Sequence, residues 1–213
     1  YVTGSNSVRF GATVTEGDWR QRIAYSGDMQ PITYDAQNRP VSATLRLPVD
    51  RRNGIKADTG MFVQDRWAMG RVTWNLGLRY DWFIGETQES EVLPSRFNAG
   101  QTFGKCADGK NDPRAGCAGT VQNWKDISPR VGFAMDVFGN GRTAIKASFA
   151  KYVAGQNIAV ANAANPVTAL GLTDTRGWTN DADGNGLPLD ANGNIQFNEL
   201  TASTATPTFG RNV

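Results

Sequence analysis

The chain has 213 residues, with 22 Lys and Arg against 20 Asp and Glu, a formal net charge of +2 and no histidine. The charges form no basic cluster or stripe, so the sequence does not indicate a nucleic-acid partner. No run of about 18 apolar residues occurs, which excludes a transmembrane helix. Without histidine, Ser-His-Asp and Cys-His catalysis is excluded, and we expect no enzymatic activity.

The first predicted strand covers residues 5–15, where Val8, Phe10, Ala12 and Val14 alternate with polar or small residues. A long polar stretch follows at 16–57 and is predicted to be a loop. Three segments in it could form short strands or a protruding hairpin: Ile23–Tyr25, Ile32–Tyr34 and Val41–Leu47.

Two strands predicted at 58–67 and 72–83 form a hairpin, because only residues 68–71, with a glycine among them, separate them. In the second strand every other residue is apolar or aromatic, which gives one apolar face and one polar face. Membrane-spanning strands have this pattern, and Trp67 and Trp82 at opposite ends of the hairpin suit two interfacial girdles. The alternative is a soluble antiparallel strand with one face on a protein core.

Regular alternation stops at 84–126, which is predicted to be a second long loop, and resumes at 127–138. Residues 139–142 form a predicted tight turn whose Asn-Gly pair suits positive backbone angles. The partner strand is predicted at 143–152, and a third long loop at 153–213. Short and long connections alternate, as they do between the strands of outer-membrane barrels.

The predicted hairpin resembles the carboxy-terminal barrel domain of TonB-dependent outer-membrane receptors, in particular the Oar-like branch. Phe62-Val63-Gln64-Asp65-Arg66-Trp67 is similar to the family's aromatic-Val-Gln-Asp-x-Trp strand, and 73–81 is similar to its Leu-Gly-Leu-Arg-Tyr-Asp strand. Ser128–Phe133, Asn165-Pro166 and Trp178-Thr179-Asn180-Asp181 also resemble features of this family.

The resemblance implies an all-β fold, an antiparallel up-and-down transmembrane β-barrel segment with long extracellular loops. About five strands cannot close such a barrel, which needs at least eight, so the remaining strands are expected from residues outside this chain. The chain opens without a charged and apolar leader, so a signal peptide is expected to be missing or removed. We interpret the chain as an internal piece of a receptor, with no plug domain present.

The barrel interpretation assigns the side chains of the strands to two environments. The predicted lipid-facing residues are Val72, Trp74, Leu76, Leu78, Tyr80, Trp82, Val131, Phe133, Met135, Val137, Ile145 and Phe149. The predicted lumen-facing residues are Asn75, Arg79, Asp81, Arg130, Asp136 and Lys146, with surface charge on an ordinary sheet as the alternative.

Cys106 and Cys117 are the only cysteines, and both lie in the predicted 84–126 loop. An even cysteine count in an oxidising setting predicts a disulfide that fixes this loop. The alternatives are two free thiols or a metal site, and zinc is disfavoured because there is no histidine and no second cysteine pair.

Residues 181–186, Asp-Ala-Asp-Gly-Asn-Gly, place oxygen ligands at alternate positions, as in the first half of an EF-hand-type calcium loop. The twelfth position is Asn192, which lacks the required carboxylate. The candidate calcium ligands are therefore Asp181, Asp183, Asn185 and Asp190, and the alternative is a solvated turn without any cofactor.

The leading hypothesis is a barrel segment of a bacterial outer-membrane receptor that takes up or passes a bulky solute. Its expected partners are outer-membrane lipid, the solute, and the TonB complex through parts of the receptor beyond this chain. One alternative is a soluble or surface-attached β-sheet module that binds carbohydrate, with loops stabilised by a disulfide and calcium. Another is a structural or adhesive surface protein.

Overall fold

The computed structural model describes residues 1–29, 33–37, 39–179, 181–193, 195–202 and 209, and most of them lie in β-strands. The strands are β1 (Val2–Thr3), β2 (Asn6–Ile23), β3 (Thr33–Tyr34), β4 (Pro40–Arg46), β5 (Val49–Met69), β6 (Val72–Thr87), β7 (Ser90–Val92), β8 (Gln101–Phe103), β9 (Lys105–Lys110), β10 (Ala118–Asp136), β11 (Ala144–Ala150) and β12 (Thr173–Gly177). The helical segments are α1 (Ala159–Ala163) and the 3-10 turns Ser26–Asp28 and Pro166–Ala169. No helix in this part of the chain is long and apolar enough to cross a membrane.

The long strands form one sheet in the order β1-β2-β5-β6-β10-β11, so strands that follow one another along the chain lie side by side. The pairs β1–β2, β6–β10 and β10–β11 are antiparallel. Strands β7, β8 and β9 attach to this path, and a second, three-stranded sheet has the order β12-β4-β3. The predicted all-β, antiparallel up-and-down arrangement is confirmed.

Four of the five predicted strands are longer in the structure than in the sequence prediction. Strand β2 continues to Ile23, β5 begins at Val49, β6 continues to Thr87 and β10 begins at Ala118. The predicted loops at 16–57 and 84–126 were therefore too wide. In β5 and β6 the added residues include neighbours that are buried on both strand faces, as at Phe83, Ile84 and Gly85, and this removes the alternation on which the prediction rested.

The predicted short strands have mixed outcomes. The segment Val41–Leu47 corresponds to β4, and Tyr34 lies in β3, whereas Ile32 lies outside the described residues. Ile23 ends β2 rather than starting a separate strand. The predicted loop 153–213 also contains regular structure, namely α1, a 3-10 turn and β12.

The chain divides into two compact units. The first unit comprises 1–18, 54–86 and 120–160, and the second comprises 19–53, 87–119 and 161–213. We refer to the strands of the first unit as the wall.

The second unit has a hydrophobic core of its own. Its larger cluster contains Leu47, Val49, Val92, Phe103, Val167 and Leu170, and its smaller cluster contains Ala43, Trp178 and Leu200. The cluster residues come from the three segments that were predicted as loops: Ala43, Leu47 and Val49 from 16–57, Val92 and Phe103 from 84–126, and Val167, Leu170, Trp178 and Leu200 from 153–213. The sequence prediction treated these segments as loops because no periodic pattern marks them.

Tight turns join the wall strands. Strands β5 and β6 are joined by Gly70 and Arg71, with Gly70 at φ 56°. Between β10 and β11, Gly139 and Gly141 have φ 72° and 71°. Their backbone N–H groups donate to the two carboxylate oxygens of Asp136, at 3.0 and 2.8 Å. Positive φ at these glycines lets the turns close without steric cost.

Candidate functional site: the two faces of the wall and an acidic cluster

The predicted lipid-facing residues lie on one face of three paired strands. Residues directly opposite each other in an antiparallel pair share a face. Leu76 of β6 lies opposite Val131 of β10, which lies opposite Phe149 of β11. The neighbouring rows are Val72–Met135–Ile145, Trp74–Phe133–Ala147, Leu78–Pro129, Tyr80–Ile127 and Trp82–Lys125. The register thus gathers the apolar residues into one continuous face.

None of the predicted lipid-facing side chains is buried in the described part of the chain. Leu78 is 49 % exposed, Ile145 50 % and Phe149 69 %. Trp74 and Phe133 pack against each other with their ring centroids 5.5 Å apart. Val137 lies just beyond the end of β10 and is half-buried. An exposed apolar face of this extent is typical of a surface that contacts lipid or another protein.

Trp82 and its neighbours combine apolar, polar and cationic groups. The indole Nε1 of Trp82 donates to Oδ1 of Asn123 at 2.9 Å, and Nζ of Lys125 lies 5.5 Å from the centroid of the indole ring. Tyr80 lies on the same face two residues before Trp82. Aromatic rings with a satisfied polar tip and a nearby cation suit the headgroup level of a membrane.

The predicted lumen-facing residues lie on the opposite face of the same strands. Asn75 lies opposite Gly132, which lies opposite Ser148, and Arg79 lies opposite Ser128. Lys146 lies opposite Ala134. Arg79 Nε donates to Asp81 Oδ1 at 2.8 Å. This face can therefore accommodate water and charged groups.

Two glycines of the wall lie beneath large side chains of neighbouring strands. A Cβ at Gly60 would meet the flexible guanidinium end of Arg79, and a Cβ at Gly11 would lie 2.6 Å from a ring carbon of Phe62. Glycine at these positions lets larger side chains of the neighbouring strand lie across the backbone.

Other charged residues of the polar face have local partners. Arg130 stacks over the ring of Tyr152 at 4.7 Å, and Lys151 Nζ contacts Asp126 Oδ1 at 3.2 Å. Asp136 is engaged by the turn that follows β10, as described above. Arg130, Lys151 and Asp126 thus have local partners.

The predicted disulfide between Cys106 and Cys117 is confirmed, with the two Cα atoms 5.0 Å apart. The two cysteines do not lie in an irregular loop as predicted, because Cys106 lies in β9 and Cys117 immediately precedes β10. Cys117 also exchanges backbone hydrogen bonds with Asp112, at 3.0 and 3.1 Å. The disulfide closes a β-hairpin in the second unit.

Two of the four candidate calcium ligands lie in an acidic cluster of the second unit. One carboxylate oxygen each of Asp181, Asp183 and Glu199 lies within 4.8 Å of the others. Asp190 is not part of this group, and its Oδ1 accepts from Asn192 N at 2.9 Å. Asn185 contacts the cluster through its amide nitrogen, which donates to Asp183 Oδ2 at 2.8 Å.

Sequence reasoning missed Glu199. The EF-hand pattern assigns the missing carboxylate to the twelfth position, and Glu199 lies beyond that window, next to Leu200 of the smaller core cluster. Only its burial and its place beside Asp181 identify it, and neither can be read from spacing.

These features define a class: antiparallel β-sheet walls with one apolar and one polar face, whose strands are joined alternately by tight turns and by long, structured connections. The family described as "Outer membrane beta barrel domain" matches residues 4–213, and the chain belongs to this family. Neither a curated protein nor a solved structure matches the chain. The protein is located in the bacterial outer membrane.

Proposed function

We propose that this chain forms part of the wall and of the outward-facing loops of a TonB-dependent, receptor-like barrel that takes up a bulky solute. The observation that carries the proposal is the register of β6, β10 and β11. It places apolar rows such as Leu76–Val131–Phe149 on one face and polar rows such as Asn75–Gly132–Ser148 on the other. Outer-membrane barrels divide their strands in this way between lipid and lumen.

The resemblance to Oar-like receptors adds the transport assignment. The two resembling segments, 62–67 and 73–81, lie in β5 and β6, which are sheet neighbours joined by a two-residue turn. In such receptors the outer loops capture solute, and the TonB complex pulls on a plug to open a path. Plug and TonB contacts would involve parts of the receptor other than this chain.

The second unit supports a solute-binding role for the connections. They carry a packed core and a disulfide. A surface that is ordered before binding loses less conformational entropy when a ligand binds. Such a surface suits recognition of a bulky solute better than a set of flexible loops.

Family membership argues against the soluble carbohydrate-binding module. A structural or adhesive role in the same membrane differs from transport in one measurable respect, since adhesion needs neither TonB nor movement of solute. The test below separates these two functions.

The experiment compares solute depletion by four strains: cells with and without the gene, each in a TonB-intact and a TonB-deficient background. The probes are a peptide digest and a mixture of glucose oligosaccharides, and mass spectrometry measures what remains in the medium. We expect at least one solute class to be depleted only when both the gene and TonB are present. Gene-dependent binding of solute or cells without TonB dependence would contradict transport and favour adhesion.

A further inference from the structure

The acidic cluster of the second unit has one fully buried member. Glu199 is 0 % exposed, and its Oε1 accepts from the backbone N–H of Ala182 at 2.7 Å. Its second oxygen, Oε2, is buried and has no hydrogen-bond partner among the described residues. A buried carboxylate oxygen without a donor or cation is unfavourable, so native proteins rarely leave one.

Asp181 has the same deficit. Its Oδ2 accepts from Gly186 N at 2.8 Å, whereas its Oδ1 is buried and has no partner in the described part of the chain. Asp181, Asp183 and Glu199 each bring an oxygen within 4.8 Å of the others. Carboxylates this close repel each other unless a cation or a proton lies between them.

The backbone of 181–186 positions these carboxylates. Gly184 and Gly186 have φ 73° and 72°, and the Gly186 N–H to Asp181 bond closes the turn. Asp183 is held by Asn185 N at 3.1 Å and by Gln196 Nε2 at 2.6 Å. Each carboxylate oxygen has two acceptor sites, so these bonds leave room for a cation. The calcium-loop pattern requires a carboxylate at position 192, where this chain has Asn192. Glu199, further along the chain, brings a carboxylate to the cluster instead.

We propose that Asp181, Asp183 and Glu199 bind Ca²⁺. The cluster offers oxygen ligands only, and with no histidine in the chain and both cysteines in the disulfide, imidazole and thiolate ligands are lacking. Hard divalent cations prefer such ligands, and Ca²⁺ tolerates irregular geometry filled out by backbone carbonyls and water better than Mg²⁺ does. This inference does not depend on the transport proposal.

Binding would fasten the acidic turn to the smaller core of the second unit. Glu199 O accepts from Thr179 N at 2.8 Å, and Leu200 pairs with Trp178 in an isolated β-bridge. Trp178 and Leu200 are both members of that core. A cation held by Glu199 and Asp181 therefore links the 181–186 turn to buried residues, and we expect Ca²⁺ to order this turn.

The test uses the protein in detergent with Tb³⁺ as a luminescent Ca²⁺ analogue. Trp178 precedes the cluster in the sequence, and energy transfer from its indole can sensitise Tb³⁺ emission. We expect sensitised Tb³⁺ emission that Ca²⁺ displaces. Glu199→Gln and Asp181→Asn should each weaken Ca²⁺ competition at least about tenfold. Asp190→Asn, which removes a carboxylate outside the cluster, is the matched control and should change it less than about twofold.

A measurement on the unaltered protein guards against variants that fail to fold. Hydrogen exchange at the Ala182 and Gly186 amides should slow when Ca²⁺ replaces a chelator, and formation of the Cys106–Cys117 disulfide checks folding of each variant. Unchanged exchange and absent Tb³⁺ emission would overturn the proposal. The assigned ligands would be overturned if folded Glu199→Gln kept the full Ca²⁺ affinity. They would also be overturned if Asp190→Asn lost as much Ca²⁺ affinity as Glu199→Gln.

Discussion

The side-chain amide of Asn165 donates a hydrogen bond of 2.9 Å to Oδ1 of Asn53, and both side chains are fully buried. The same amide nitrogen lies 3.0 Å from Ser90 Oγ and 3.2 Å from the carbonyl of Arg52. Asn165 Oδ1 accepts from Val167 N at 3.0 Å. One amide therefore connects three separate segments of the second unit with all its polar atoms satisfied.

Asn165→Ala should destabilise the protein by about 3 kcal/mol, because it leaves buried donors and acceptors without partners and creates a small cavity. The measurement is the urea midpoint of the detergent-folded protein. Asn157→Ala is the matched control, since the Asn157 side chain accepts from Ala159 N in an exposed position. The control should cost about 1 kcal/mol or less. Equal losses in both variants would contradict the role assigned to burial.

The sequence was sufficient to predict which residues of β6, β10 and β11 share a face. Along β6, β10 and β11 one face is exposed and apolar and the other is polar, so each strand shows a period of two residues. Trp74 and Leu76 could be assigned to one face, and Asn75 and Arg79 to the other, from spacing alone. The registers of β6, β10 and β11 keep these sets on separate faces.

The second unit could not be predicted in this way. Its core takes Leu47, Val92, Phe103 and Val167 from segments far apart in the sequence, so no window holds enough of them to show a pattern. Cysteine pairing is the exception, because two cysteines allow only one intramolecular disulfide. Glu199 could not be identified from the sequence, since its burial depends on contacts across the second unit.

Asp50 should make stability depend on pH. The single Nε–H of Arg20 is shared between both oxygens of the buried Asp50 carboxylate, at 2.8 and 3.0 Å, and Arg20 Nη2 contacts the same carboxylate. The hydrogen bonds and charge of Arg20, aided by Arg52, lower the pKa of Asp50, while burial opposes this. A lowered folded pKa means that the stabilisation is complete above the unfolded pKa of about 4 and is lost as pH falls through the folded value.

Asp50→Asn should therefore lower the free energy of unfolding at neutral pH by about 1 to 3 kcal/mol, a range limited by the exposure of Arg20. As pH falls below about 4 the difference between variant and parent should shrink, and it should vanish once the pH is below the lowered pKa of Asp50 in the folded protein. Urea midpoints measured from about pH 2.5 to 7 test this. Asp112→Asn, which removes the charge of an exposed carboxylate that accepts from backbone N–H groups, serves as the control. A constant difference at all pH values would show that the Asp50 charge is not the cause.

Leu76→Arg should impair folding into lipid, because the row Leu76–Val131–Phe149 is expected to face hydrocarbon. The expected cost is about 2 to 4 kcal/mol near the middle of a bilayer. Asn75→Arg, one residue away on the polar face, is the matched control and should cost less than about 1 kcal/mol. Urea titrations of protein folded into phosphatidylcholine vesicles measure the loss of stability in both variants. Equal losses would contradict the assignment of the two faces, and a larger loss for Asn75→Arg would reverse it.

Breaking the disulfide should destabilise the β-hairpin that carries it. Cys106 and Cys117 are eleven positions apart, and loop-closure entropy for a loop of this size contributes about 3 kcal/mol. A Cys106→Ser, Cys117→Ser variant should be cut by trypsin after Lys110 or Arg114, which lie between the two cysteines, faster than the oxidised parent. The reduced parent is the second comparison and should match the variant. Equal cleavage rates before and after reduction would show that other contacts hold this hairpin.

Gly119 should tolerate no larger residue, because its neighbour is backbone that cannot move aside cheaply. A Cβ there would lie 2.6 Å from the carbonyl oxygen of Gly109 and 2.8 Å from the carbonyl carbon of Lys110. Gly119→Ala should therefore cost about 2 to 3 kcal/mol and slow formation of the nearby disulfide. Gly17→Ala, where a Cβ would have no neighbour within 4 Å, is the control and should change stability by less than about 0.5 kcal/mol. Urea midpoints and the rate of thiol loss measure the two effects. A Gly119→Ala protein as stable as the control would mean that the backbone at Gly109 shifts without cost.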